Sequence, residues 1–131
     1  MTSRPALLDL GDSSFVSLTT FRKTGERVAT PVWILRDGDA LIVTTPVDSG
    51  KVKRLRNNAS VEVRASSRMG KVDDAVPPVE ASAEILDDPA TVARYGELFL
   101  AKYRFEYRLF MWIERRAKSG QEPRVMLRIT N

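Results

Sequence analysis

The stretch FVSLTTFRKTGERVATPVWILRDGDALIVTT, Phe15 to Thr45, decides the fold. Its first segment alternates. Phe15, Ser17, Thr19 and Phe21 face one way, and Val16, Leu18 and Thr20 face the other. Period two, with β-branched and aromatic residues enriched, predicts a strand. RKTGE is then a hairpin turn with Gly25 at a left-handed position. RVATPVWIL returns as a second strand. Pro31 inside it cannot donate to a ladder, so that part is an edge, a bulge or a place where something else docks. RDGDA makes a second tight turn, and LIVTT is a third strand, almost continuously apolar as a buried barrel or sandwich strand would be. Three antiparallel strands this early predict a sheet that curls into a barrel.

Working outward, Arg4 to Leu10 is expected to form a short helix ended by Asp9 and Gly11. Pro46 ends the third strand, and Asp48 or Ser49 caps a helix running to about Asn57, with Val52 and Leu55 as its core face. SVEVRAS, residues 60–66, is a fourth strand and SRMGK a turn. Pro77 to Leu86 is a fifth strand, alternating Val79, Ala81, Ala83 and Ile85 with Glu80, Ser82 and Glu84. Asp88 caps a helix with Pro89 in its first turn and an apolar stripe of Val92, Tyr95, Leu98, Phe99 and Lys102. RFEYRLFMWIERRA, residues 104–117, is expected to be helical, and RVMLRIT, residues 124–130, a last strand. The 131 residues are expected to form one mainly β domain with flanking helices.

There are no cysteines and no histidines. That excludes disulfides, zinc sites with Cys or His ligands, and Ser-His or Cys-His nucleophile pairs. The commonest general acid/base near neutral pH is missing as well, so an enzyme of this composition would rely on a bound cofactor. No apolar run is long enough to span a bilayer and MTSRPALLDLG does not have signal-peptide character. A cytoplasmic protein with no membrane partner is expected.

The net charge of +4 is uneven. Residues 51–71 carry 7 basic and 1 acidic side chains, and residues 72–100 carry 1 basic and 7 acidic. Within residues 51–56 four of six side chains are Lys or Arg, at the start of the helix that follows Asp48-Ser49-Gly50. Cations there oppose the macrodipole, whereas an anion is welcome among the free N–H groups. The run becomes favourable if a phosphate or carboxylate neutralises it. Lys51 and Arg54 share a face, and Thr44, Thr45 and Ser49 offer short polar side chains beside them. A solvated basic face is the bland alternative. A nucleic-acid-binding barrel is disfavoured, because Phe21, Trp33 and Tyr95 form no regular aromatic ladder and residues 72–88 are acidic.

Residues 14–66 as a whole, with LTTFRKTGERVATPVW followed by TTPVDSGKVKRLRNN, resemble the first half of the split β-barrel flavin and deazaflavin oxidoreductases. That superfamily includes the pyridoxamine phosphate oxidase-like proteins, and the resemblance is nearest to its F420-dependent branch. It implies a six-stranded antiparallel split β-barrel that works as a homodimer, with one cofactor in each of two grooves between subunits. It implies coenzyme F420, with FMN as the alternative, and hydride transfer to a small organic acceptor; a non-catalytic protein that binds or stores F420, haem or another amphipathic anion is the further alternative. The phosphate-holding positions fall on Thr44, Thr45, Ser49, Gly50, Lys51 and Arg54. The backbone at Thr30, Pro31, Val32 and Trp33 would lie along the ring, which would give Pro31 its reason. Where relatives often carry Cys or Asp after the fourth strand, this chain has SSRMG, and Arg68 there is a candidate for the cofactor's acidic tail. Trp33 could equally stack on a ring or wall the groove, and Tyr103 or Tyr107 could deliver a proton.

Overall fold

The structure, a computed structural model, describes residues 7–104 and 123–131. Six strands form one closed antiparallel barrel in the order β1-β2-β3-β6-β5-β4. They are β1 (Phe15–Phe21), β2 (Arg27–Asp37), β3 (Ala40–Pro46), β4 (Ser60–Ser66), β5 (Val79–Leu86) and β6 (Arg124–Thr130). Among the described residues two α-helices accompany them, α1 (Gly50–Asn57) and α2 (Pro89–Tyr103). The expected helical segment at 104–117 lies, apart from Arg104, outside the described residues.

Strand alternation sorts the side chains into two cores. Val16 and Leu18, Val32 and Ile34, Leu41 and Val43, Val61 and Val63, Val79 and Ala83, and Leu127 and Ile129 fill the barrel, joined by Leu55 of α1 and by Leu7. The opposite faces of β2, β3 and β6 supply Leu35, Ile42 and Met126, which meet Tyr95, Phe99 and Tyr103 of α2. LIVTT is continuously apolar because both faces of β3 are covered, one by the barrel interior and one by α2. The opposite side of the barrel, where β4 and β5 expose Ser60, Glu80, Ser82 and Glu84, is covered by neither described helix and reads as plain alternation.

Three expectations need correction. Leu98 is 42% exposed and Lys102 is also a surface residue, so the stripe of α2 is narrowed to Tyr95, Phe99 and Tyr103 with Val92 beside them. The turn before β1 is a 3-10 helix over Leu7–Asp12 that runs through Gly11, where Gly11 is buried against Arg36. β5 begins at Val79, two residues past the expected Pro77, because neither Pro77 nor Pro78 pairs with β4.

β2 changes partner along its length. Residues 27–33 pair with β1, ending at Phe15↔Trp33, while residues 34–37 pair with β3, beginning at Ile34↔Val43. Residues 27–33 of β2 and 44–46 of β3 therefore have no pairing with each other. The barrel is split there, and Pro31, paired with Ser17, occupies a one-sided edge where its missing N–H costs little.

Phe99 and Leu98 test the sorting of α2. Phe99→Ala removes a fully buried ring and should cost about 3–5 kcal/mol in denaturant unfolding, whereas Leu98→Ala should cost less than about 1 kcal/mol. Equal costs would mean that the helix face is wrongly assigned.

Candidate functional site

Ser49 is the N-cap of α1, and its hydroxyl oxygen accepts from the Val52 N–H at 3.4 Å. The Thr45 hydroxyl donates to the same oxygen at 3.1 Å, which ties the end of β3 to the helix start. The cap is satisfied by neutral hydroxyls, and the first turn of α1 carries no acidic residue to offset its positive end.

The basic run divides in two. Lys53 and Arg56 point into solvent, as an ordinary helix face does. Lys51 and Arg54 are partly buried. The Arg54 guanidinium reaches back over Gly50 and donates from Nε to Thr20 Oγ1 at 2.6 Å. Gly50 leaves the room for this: a Cβ there would sit 2.8 Å from Arg54 Nη1. Burial, then the neighbouring charges of Arg54 and Arg124, push the Lys51 ammonium below the ordinary lysine range. Burial and the charge of Arg22 lower Arg54 as well. Among the described residues, neither Lys51 nor Arg54 has a carboxylate within ion-pairing distance.

Arg124 is the residue that sequence reasoning missed. It opens β6 opposite Pro46 and donates from Nε to Thr44 Oγ1 at 2.9 Å. Only the β3–β6 register brings this distant arginine to the cluster, and a single sequence does not announce that register. The expected Thr44 and Thr45 are both buried, but they face opposite sides of β3. Thr44 shares the α2 side with Ile42, and Thr45 lies toward the barrel interior and the cap.

Across the split, Thr30, Pro31, Val32 and Trp33 occupy the one-sided part of β2. Val32 is buried inside the barrel and Pro31 is exposed under Gly70 of the 67–71 turn. The buried hydroxyl oxygen of Thr30 has no hydrogen-bond partner among the described residues. Such an orphan is costly, and it sits in the strip expected to face a ligand. Trp33 is half-buried and stacks on Tyr103, ring centroids 5.0 Å apart and planes 23° apart, so it serves as a wall fixed by α2. Trp33 and Thr44 are the first residues past the last β2–β3 pair, Ile34↔Val43, and they flank the fork of the split.

Two candidates change role. The Tyr103 hydroxyl is engaged by backbone, accepting from Ile34 N–H at 2.9 Å and donating toward Ser14 O or Ile34 O, so it is no free proton donor. Tyr107 lies outside the described residues. Arg68 is exposed and lies over the Phe15 ring, 5.7 Å from its centroid, on the outer face of β1. The described residues contain no group of three or more Asp, Glu, His or Cys placed to hold a metal ion. No described helix is long and apolar enough to cross a membrane.

No protein-family model matches the chain, and no curated relative matches it. Solved structures do match its fold. A provisionally named pyridoxamine 5'-phosphate oxidase from Listeria innocua superposes with a TM-score of 0.62 at 18% identity, over 92% of this chain and 86% of that one. An F420 reductase superposes with a TM-score of 0.61 at 20% identity, over 99% of this chain and 94% of that one. The heme storage protein HutZ from Vibrio cholerae superposes with a TM-score of 0.66 at 10% identity, over 99% of this chain and 90% of that one. At these identities the likeness shows the fold, a split barrel of the kind that pyridoxamine oxidase-like proteins adopt.

Proposed function

We propose that the protein is an F420-dependent oxidoreductase of the split-barrel type, acting on a small organic acceptor as a cytoplasmic homodimer. The observation that carries this is the cationic cradle at the split: Lys51 and Arg54 held without carboxylate partners among the described residues, Arg124 beside them, and the neutral N-cap of α1 between. A phosphate placed there meets N–H groups, hydroxyls and three cations at once. The unpaired strip of β2 and the orphaned Thr30 hydroxyl suit a planar ring carrying polar edges.

When bound, a reduced deazaflavin supplies a hydride. The chain's own residues would bind and orient it. Lys51, Arg54 and Arg124 neutralise its phosphate, the edge of β2 at Thr30 to Trp33 lines the ring, and the Trp33–Tyr103 stack keeps that wall rigid. Tyr103, engaged by backbone, is not placed to donate the proton that would follow the hydride. The same cradle would accept FMN, so the alternative is a flavoprotein of this fold. Heme storage fits less well, because the chain has no histidine to act as an axial ligand.

Parallel titrations with F420 and FMN discriminate these readings. Colourless purified protein whose tryptophan emission responds to F420 and ignores FMN supports the proposal. A yellow protein with a flavin spectrum replaces it by the alternative, and response to neither removes both.

Three outcomes follow from the cradle. Lys51→Ala should weaken cofactor binding by about 1–3 kcal/mol while leaving the unfolding midpoint unchanged or raised, since a repulsive cation is gone. The folded-state pKa of Lys51 is depressed, so the folded protein binds fewer protons there than the unfolded chain. The penalty for holding a protonated Lys51 is present at lower pH and is relieved as pH rises through the depressed pKa toward the ordinary lysine value. A bound anion favours the ammonium, so affinity should decline as pH climbs through that window, and Lys51→Ala should erase this part of the profile. Gly50→Ala should leave stability nearly unchanged but displace the Arg54 guanidinium and weaken binding; unaltered affinity would remove Arg54 from the cradle. Finally, light scattering at micromolar concentration should report a dimer, and a monomer there would contradict a groove shared between subunits.

A further inference from the structure

We propose that Lys102 and Tyr103 are positioning residues that set the cofactor groove by holding β2 at the residue where it changes partner. The inference rests on the groove being a cofactor site. Its mechanical half stands on the apo protein alone.

At Ile34 the β2 strand has left β1, whose register ends at Phe15↔Trp33. Its backbone groups do not go unpaired. The Ile34 N–H donates to the Tyr103 hydroxyl oxygen at 2.9 Å, and that hydroxyl lies 2.8 Å from Ile34 O and 2.7 Å from Ser14 O. A phenol has one proton, so it serves the two carbonyls in turn while bridging the strands where a direct ladder bond is missing. The Lys102 ammonium has three donors, and three carbonyls surround it: Ile34 O at 2.6 Å, Gly11 O at 2.9 Å and Ser13 O at 3.0 Å. Two consecutive residues in the last turn of α2 thus lock the 11–14 segment to β2 at a single point.

That point is the fork of the split. Ile34 is the first β2 residue paired with β3, and Trp33 is the last residue that pairs with β1. Among the described strands, the strip from Arg27 to Trp33 pairs with β1 and not with β3, so its angle to Thr44 and Arg124 is set at the fork. The Tyr103 ring reinforces the lock, stacking on Trp33 at 5.0 Å and on Phe99 at 6.1 Å, with the Lys102 ammonium 5.2 Å from its centroid. A side chain that merely anchored α2 to the barrel would need only the apolar contacts. These two spend every hydrogen-bonding group on the backbone of one strand junction.

The test uses Tyr103→Phe, which removes only the hydroxyl, and Lys102→Met, which keeps the stem of a surface residue. Amide hydrogen exchange on the apo protein should show residues 29–34 exchanging about tenfold faster in either variant, with Val43 of β3 and Leu127 of β6 unchanged. Deazaflavin affinity should fall about tenfold while affinity for inorganic phosphate, a probe of the cradle alone, stays within about twofold. Lys102→Arg, which still donates to carbonyls, should recover most of the loss. Uniform acceleration in all six strands, no acceleration, or equal loss for phosphate and deazaflavin would each overturn the proposal. Wild-type protein that binds neither F420 nor FMN would sink the function, while the exchange comparison would still decide whether the pair holds the strip.

Discussion

A strand of eleven residues cannot satisfy two neighbours along its whole length when those neighbours diverge, and β2 resolves this by changing partner between Trp33 and Ile34. Everything characteristic of the structure depends on that switch. It makes the barrel split instead of a plain cylinder, and among the described strands it leaves one edge of residues 27–33 without a ladder partner. An unpaired edge is ordinarily a hazard, and here several devices blunt it. Pro31 withholds a donor, Arg27 places a charge on the strip, and the 67–71 turn brings Gly70 against Pro31. What remains is a backbone edge beside a cation cluster.

The cluster answers an electrostatic puzzle in the sequence. Four cations at the start of α1 oppose its dipole, yet the structure does not simply send all of them into water. It exposes Lys53 and Arg56 and draws Lys51 and Arg54 inward, where burial depresses both, with added repulsion from Arg54 and Arg124 at Lys51 and from Arg22 at Arg54. Thr20 and the glycine at position 50 hold Arg54 against a helix end that repels it. A protein that needed only solubility would reverse this arrangement. Retaining like charges in a partly buried site, with hydroxyls in place of carboxylates, costs the free protein some stability.

Much of this was legible in the sequence, and the exceptions have physical causes. The barrel could be read because the strands alternate and their turns are marked by Gly25 and the Asp37-Gly38 pair. The cap could be placed to within one residue, and Ser49 proved to be it. Pro31 correctly signalled an edge. What could not be read depends on pairing. Arg124 lies far along the chain from Thr44 and reaches it only through the β3–β6 register. The opposite facing of Thr44 and Thr45 follows from strand geometry, but adjacency in sequence invites grouping them. Leu98 fits a helical period and is nonetheless exposed, because α2 meets a narrow strip of β2, β3 and β6 that accepts one row of aromatics. Tyr103 looked chemical because a phenol can donate a proton. Its neighbours on the page of the sequence give no hint that Ile34 would need it.

The side chains around the split also limit what the site can do unaided. Among the described residues they comprise three threonines and a serine already bonded to one another or to arginine, the orphaned Thr30, a lysine and two arginines, and an indole stacked on a phenol. A set rich in donors and cations binds and orients an anion, but it contains no group poised to abstract a proton or attack a carbonyl near neutral pH. Lysine could in principle be a nucleophile once its pKa falls. Yet Lys51 sits between guanidinium groups at a helix start, where a negatively charged guest would restore its charge and end that reactivity. The physical trend on binding an anion therefore runs toward a charged, firmly held Lys51 and away from its use as a nucleophile.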